Sequence, residues 1–202
     1  MRIISGELKG KILISPDNDL IRPTSDRGKE VIFDTLSSIL SKQDKEYEEI
    51  QILDIFCGTG SLGIEAISRG GKSISFIDNS ETAINLTRMN CEKLKINNVN
   101  LLNYNFFDIN LSIIKQADVI FLDPPYKMYD PSEILRMLLT KNLLKINGIL
   151  IFETSVRNKL QDFKELKLIK KKEFLSLHII FLLKFNYFLP NSFSISFNFN
   201  ST

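Results

Sequence analysis

Histidine occurs once in this 202-residue chain, at His178, and cysteine twice, at Cys57 and Cys91. With so few thiol and imidazole groups, neither a disulfide framework nor a Cys/His metal cluster is expected, and both thiols are expected to stay reduced. His178 lies inside an apolar run, residues 177–185, where a structural role is expected, so no histidine base is expected at a catalytic site. Long hydrophobic runs are missing too. No stretch approaches the roughly 20 apolar residues that cross a bilayer, and residues 1–7 lack the apolar region of a secretion signal. A cytoplasmic location follows as an expectation. Net charge is only +2, so attraction to a polyanion must come from local clusters rather than a global field. The length is near that of one domain and leaves no room for a second catalytic one.

What the chain does contain is a buried-strand pattern, Asp118-Val119-Ile120-Phe121-Leu122, that stops abruptly at Asp123-Pro124-Pro125-Tyr126. Two prolines cannot donate ladder hydrogen bonds and stiffen the loop they enter. The segment presents a carboxylate, carbonyls of restricted direction and an aromatic ring, a set that fits a planar amine. Asp123 and the Pro124 carbonyl can accept the two amino hydrogens while Tyr126 stacks on the ring. The nitrogen lone pair is conjugated into such a ring and becomes nucleophilic only as the nitrogen pyramidalises, so positioning and electrostatics carry the chemistry. A strand that merely ends in two prolines has the same sequence, and a second motif decides between the readings.

That motif runs from Asp54 to Gly63. A strand (residues 50–55) enters a glycine-rich turn, Gly58 and Gly60, followed by a helical pattern from Ser61 to Arg69 in which Gly63 permits close helix packing. Asp78 stands 20 residues after Gly58 and ends the next apolar strand, where a carboxylate can bind two ribose hydroxyls. NAD and S-adenosylmethionine would both use these features. Asp54 separates them, because a carboxylate at the strand tip suits a methionine ammonium and opposes a pyrophosphate.

Taken together, four blocks resemble the RsmD-type bacterial methyltransferases, which modify the 2-amino group of a guanine in 16S rRNA: residues 2–6 with Lys9-Gly10-Lys11, residues 22–27, residues 54–70 and residues 118–126. The resemblance covers roughly residues 1–155. It implies an α/β Rossmann-like methyltransferase fold with a seven-stranded, mostly parallel sheet, an antiparallel last strand and an N-terminal β-hairpin. It also implies S-adenosylmethionine as cofactor, contacted by Asp54, Phe56, Gly58, Thr59, Gly60, Asp78, Asn79, Asn105 and Phe106. Asp123, Pro124, Pro125 and Tyr126 would form the catalytic loop, and no metal is implied. The partner would be 16S rRNA or the small-subunit particle, met by a monomer. Because the loop motif is shared with methyltransferases of DNA bases and of a protein amide, those substrates stay open, as does a non-catalytic ribosome-binding module.

Two basic clusters could meet phosphate. Arg2, Lys9, Lys11, Arg22, Arg27 and Lys29 gather at the amino end, and of these the substrate-contact candidates are Arg2, Lys9, Lys11, Arg22 and Arg27, together with Thr24. Arg22 and Arg27 could instead be held by nearby carboxylates, and Thr24 is as much a helix cap as a contact. The second cluster, Arg157 to Lys172, fits a solvated face.

Residues 1–21 read as an accessory hairpin and turn. A helix follows, capped by Thr24 or Ser25, with Ile32, Phe33, Leu36, Ile39 and Leu40 on one face; Gly28 weakens its start. Strands at 50–55, 73–77, 99–104, 119–122 and 149–152 alternate with helices from Ser61, over 80–94 and from Pro131, which implies a parallel sheet. Asp54, Asp78, Asn105 and Asp123 should then converge at the carboxyl ends of the strands. Asn105 is placed to bond the adenine edge, with Asp108 as the alternative; Phe106 either covers that base or belongs to the core. Residues 166–170 and 177–185 would close the sheet, giving one domain over 1–185. Residues 186–202, where Phe193, Ile195, Phe197 and Phe199 alternate with polar residues, form an unassigned tail.

Overall fold

The computed structural model describes residues 1–15, 25–97, 99–108, 114–125, 128–158, 160–174 and 177–185. Seven strands form one sheet: β1 (Gln51–Ile55), β2 (Ser73–Asp78), β3 (Asn100–Asn103), β4 (Ala117–Leu122), β5 (Leu144–Ser155), β6 (Leu166–Phe174) and β7 (Leu177–Lys184). Their spatial order is β3-β2-β1-β4-β5-β7-β6. β1 to β5 pair in parallel, and β7 runs antiparallel to both β5 and β6. Parallel pairing needs crossovers that cover both faces of a sheet, which is why all six residues of β4 are buried instead of alternating. The crossovers and lead-in are α1 (Asp26–Lys42), α2 (Ser61–Ser68), α3 (Glu81–Lys93) and α4 (Pro131–Thr140).

The amphipathic stripe of α1 buries Ile32, Phe33, Leu36, Ile39 and Leu40 in a layer that includes Phe76, Phe121 and Phe181. On the opposite face Ile134, Leu135 and Leu138 of α4 pack with Leu53, Ile120 and Phe152. Caps set where the helices begin. The Ser25 hydroxyl accepts the Gly28 N–H at 3.0 Å, so the glycine in this first turn does not delay α1. Ser80 caps α3, and Asp130 caps α4 just before Pro131 at its first position.

Three elements differ in extent from the sequence reading. β5 spans 12 residues and β6 continues to Phe174, because pairing with β7 carries both past the carboxyl ends of their apolar cores and pairing of Leu144 with Ala117 of β4 starts β5 early. Lys170, Lys171 and Lys172 sit opposite Phe181, Ile180 and Ile179 while remaining exposed. The expected N-terminal hairpin is present only as a short strap. Ile3 N–H donates to the Lys11 carbonyl at 2.9 Å and Leu13 N–H to that of Met1 at 3.1 Å, yet Arg2–Ile12 is its single β-bridge.

Further strap donors go to α2. Ile4 and Ser5 N–H groups reach the Glu65 carboxylate at 2.9 and 3.0 Å, and Leu8 N–H reaches the Ser68 hydroxyl at 2.9 Å. Gly6, at φ +79°, passes so close to α2 that a Cβ there would lie 1.7 Å from the Ser68 carbonyl oxygen. Ile3 and Leu13 are buried in the core beside α1. Among the described residues no helix is long and apolar enough to cross a membrane. Residues 186–202 lie outside the described part of the chain.

Candidate active site

β1 neighbours β2 on one side and β4 on the other, so the winding reverses between β1 and β4. In an open parallel sheet, the crevice at the carboxyl ends of the strands at this reversal is where ligands bind. Ile55 pairs with both Ile77 and Leu122, and Leu122 pairs with Phe152. One step further along these four strands stand Phe56, Asp78, Asp123 and Glu153. Neighbouring strands are about 4.8 Å apart, so three carboxylates and one aromatic ring fall in a single row across the crevice.

The glycine loop leaves β1 through unusual backbone angles. Phe56 has φ 62°, Gly58 55° and Gly60 74°. A phenylalanine in the left-handed region is costly and persists only where its surroundings enforce it. Here the N–H groups of Phe56 and Cys57 both donate to the Ile77 carbonyl, and the Phe56 ring packs against Phe106 and Tyr129 with centroids 5.8 and 5.6 Å away.

From behind, α3 supports the loop with two polar side chains one turn apart. The Thr87 hydroxyl donates to the Gly58 carbonyl at 3.0 Å; Asn90 Nδ2 donates to the Thr59 carbonyl at 3.1 Å. Both residues are fully buried. Sequence reasoning missed them, although two polar residues at i, i+3 on a helix face otherwise made of Ala83, Ile84 and Cys91 are a readable signal.

Asp54 is 2% exposed, and its Oδ2 accepts the Gly63 N–H at 2.9 Å. Among the described residues it has no cationic partner within ion-pair distance. Burial therefore pushes its pKa up to about 8, the Gly63 hydrogen bond opposes the rise, and nearby Asp78 adds to it. Asp78 is half-buried; its two oxygens accept Gly58 N–H at 3.0 Å and Ser80 N–H at 2.9 Å, which fixes the carboxylate at the rim of the loop. A cationic amine set against Asp54 would supply the charge it lacks. Gly63 has no room for a side chain, since a Cβ would lie 2.2 Å from the Phe76 ring.

The raised pKa predicts a pH dependence for the unliganded protein. An unfolded Asp carboxyl titrates near 4, so between pH of about 4 and 8 the folded state holds the extra proton. This group's contribution to stability falls as pH rises through that window, by up to about 1.4 kcal/mol per unit. Urea titrations at several pH values check this, and Asp54→Asn should remove that part of the slope.

After β4, Asp123 is half-buried, Pro124 buried and Pro125 exposed. The Pro125 carbonyl accepts Met128 N–H at 3.1 Å. Tyr126 lies outside the described residues. Glu153, buried one strand over, is a further carboxylate that the sequence reading passed over because it stands just past the apolar run 149–152.

Not every candidate contact faces the crevice. Asn105 is exposed, and its side chain is taken up locally: Nδ2 donates to Asp108 at 2.8 Å and Oδ1 accepts Phe107 N–H at 3.1 Å. Phe106, 2% exposed, belongs to the core, and it is Phe107 that meets Tyr129, 5.1 Å away. Thr59 is buried with its hydroxyl toward Met1 Sδ at 3.9 Å, and Asn79 is exposed beside Asp78.

Of the basic residues, Lys9, Lys11 and Arg27 are exposed. Arg2 pairs with Asp26 at 2.8 Å. Lys29 is fully buried, hydrogen-bonded to the Arg2 carbonyl and 3.8 Å from Glu65, so it does not belong to a surface cluster. Burial lowers its pKa, and Glu65 and Asp26 work against that. Arg22 and Thr24 lie outside the described residues.

The strand-end row, the glycine loop and the proline loop all fall within a family model described as Conserved hypothetical protein 95, which matches residues 1–182. The chain belongs to this family. It is 31% identical over 176 residues to ribosomal RNA small subunit methyltransferase D of Haemophilus influenzae, covering 85% of this chain and 88% of that one. The protein of the same name from Escherichia coli is 29% identical over 158 residues, covering 78% and 76%. Two solved structures, whose descriptions provisionally call them a methyltransferase and a methylase, superpose closely. The Escherichia coli one has a TM-score of 0.76 at 26% identity, over 92% of this chain and 98% of that one. For the Haemophilus influenzae one the values are 0.73, 28%, 92% and 98%. The fold is the Rossmann-like methyltransferase fold, with a mostly parallel sheet and an antiparallel last strand.

Proposed function

We propose that the chain methylates ribosomal RNA, transferring a methyl group from S-adenosylmethionine to the exocyclic 2-amino group of a guanine in 16S rRNA. The observation that carries this reading is the pairing across the switch-point crevice: the glycine loop of β1, with its buried Asp54 that has no counter-ion among the described residues, faces the proline-stiffened loop that follows β4. Relatives at about 30% identity over most of the chain carry a small-subunit rRNA methyltransferase name. When bound, the cofactor supplies a methyl group already activated on a sulfonium. Asp54 would hold its ammonium, Asp78 its ribose hydroxyls, and the backbone of Gly58 and Gly60 would allow close approach.

On the acceptor side the Asp123 carboxylate and the Pro124 carbonyl accept hydrogen bonds from the two amino hydrogens, favouring a pyramidal nitrogen whose lone pair is released from conjugation with the ring, and Tyr126 stacks on the base. The amine loses its proton after it becomes cationic, to Asp123 or to water, so no strong base is needed and the absence of a histidine from the loop costs nothing. Asn105 and Phe106 contribute to the adenine side through the loop they shape, and Phe56, Thr59 and Asn79 by fixing the glycine turn. Lys9, Lys11, Arg27 and the exposed part of Arg2 contact RNA phosphate, joined by Arg22 and Thr24. Residues 1–185 act as one domain, a cytoplasmic monomer working on rRNA or the small-subunit particle.

Labelled S-adenosylmethionine, offered with RNA, immature small subunits, DNA and protein, tests the reading. Label is expected in RNA alone; label in DNA or protein instead would overturn it. Calorimetry should also register binding of S-adenosylmethionine but not of NAD, with a proton released at pH 7 as Asp54 ionises against the ammonium.

A further inference from the structure

Asn90 is fully buried on α3 and makes three hydrogen bonds, none of them to a neighbour on its own helix face. Its Oδ1 accepts Ile14 N–H at 2.6 Å, and its Nδ2 donates to the Ile14 carbonyl at 3.1 Å and to the Thr59 carbonyl at 3.1 Å. Ile14 belongs to the amino-terminal strap; Thr59 belongs to the glycine loop. One amide thus clasps both backbone groups of a strap residue and the backbone of the loop. A second contact joins the same partners, from the Thr59 hydroxyl to Met1 Sδ.

We propose that Asn90 is a positioning residue that couples the seating of the strap to the conformation of the glycine loop. Strap and loop are otherwise fixed by separate sets of bonds. The strap is fastened to α2 through Glu65 and Ser68, whereas the loop is held by Ile77, Asp78 and Thr87. Gly58 and Gly60 bring no side chains to lock their left-handed angles, so those angles depend on the carbonyl partners that α3 provides. When the strap lifts, Ile14 leaves Asn90, the amide turns to other partners, and the Thr59 carbonyl loses its donor. Buried polar networks of this kind act as units in which removing one member affects the rest. Resting on the reading above, in which the strap meets RNA and the loop meets the methyl donor, the coupling makes each ligand raise the affinity for the other.

Amide hydrogen exchange in the unliganded full-length protein tests the coupling without any ligand. The probes are the N–H groups of Gly58, Gly60 and Gly63. Ser68→Ala removes a strap fastening at the opposite end of α2 from the loop and should lower protection of these amides about tenfold, the effect of losing one net hydrogen bond. In an Asn90→Ala background, Ser68→Ala should produce little further change at these probes, because only the long Thr59–Met1 contact is left to join strap and loop. Asn90→Asp keeps the acceptor for Ile14 N–H but loses both donated bonds, and should behave like Asn90→Ala if that variant folds poorly. Protection unchanged in Ser68→Ala, or effects of the two substitutions that simply add, would overturn the proposal. Failure to bind S-adenosylmethionine would instead bear on the functional reading, since the exchange experiment stands without it. In the protein that binds, RNA should tighten donor binding in wild type and leave it unchanged in Asn90→Ala.

Discussion

Asp123→Ala is expected to lower the rate of methyl transfer on the order of 10²–10⁴-fold, the range for removing one positioned proton-accepting group, while leaving S-adenosylmethionine affinity unchanged. The separation follows from where the residue stands. Asp123 begins the loop after β4, the acceptor side in the proposed function, whereas the candidate donor contacts Asp54 and Asp78 belong to β1 and β2. Without the carboxylate, one amino hydrogen loses its acceptor and the nitrogen stays conjugated with its ring. Single-turnover kinetics with saturating RNA, set beside calorimetric titration of the cofactor, read the two effects independently. A parallel loss of cofactor binding would place Asp123 in the donor site instead.

A second large effect is expected on stability. Glu65 is fully buried and receives four partners: Ile4 N–H, Ser5 N–H, Arg69 and Lys29. Glu65→Ala should cost about 3 to 5 kcal/mol, because it leaves Lys29 buried without its main counter-charge and two strap donors unpaired. Urea unfolding measures the loss directly. Replacing Lys29 by methionine in the same variant should recover part of it, since the stranded charge is then removed along with its partner.

The outline of the site was legible because it is written in backbone chemistry. Prolines at 124 and 125 announced the end of β4, glycines at 58 and 60 announced the left-handed turn, and the apolar runs before them placed both at strand ends. Asp54 was legible as a strand-tip carboxylate, but its burial was not. Less legible was the partner of each buried polar group. Periodicity tells which face of a helix is inside, and it placed Ile32, Phe33, Leu36, Ile39 and Leu40 correctly. It does not reveal that Lys29 on the same helix points inward to Glu65, so this lysine was grouped with surface cations.

The local bonding of Asn105 was not legible: an asparagine two residues before Phe107 can close a turn on itself, and here it does. The strap is legible as a hairpin from its two short apolar pieces, and Ile3, Gly10 and Leu13 N–H groups do bridge those pieces; that Ile4, Ser5 and Leu8 donate to α2 was not legible. β5 and β6 overran their expected ends because ladder pairing tolerates lysines that no burial pattern would select.

Digestion of RNA methylated by the purified protein, followed by chromatography of the labelled nucleosides, tests the central claim most directly. Label co-eluting with N2-methylguanosine from small-subunit RNA, and missing when Asp123→Ala replaces the wild type, is the predicted result. Label on adenosine or cytidine, or equal labelling by the variant, would contradict the assignment of the Asp123 loop to a guanine 2-amino group.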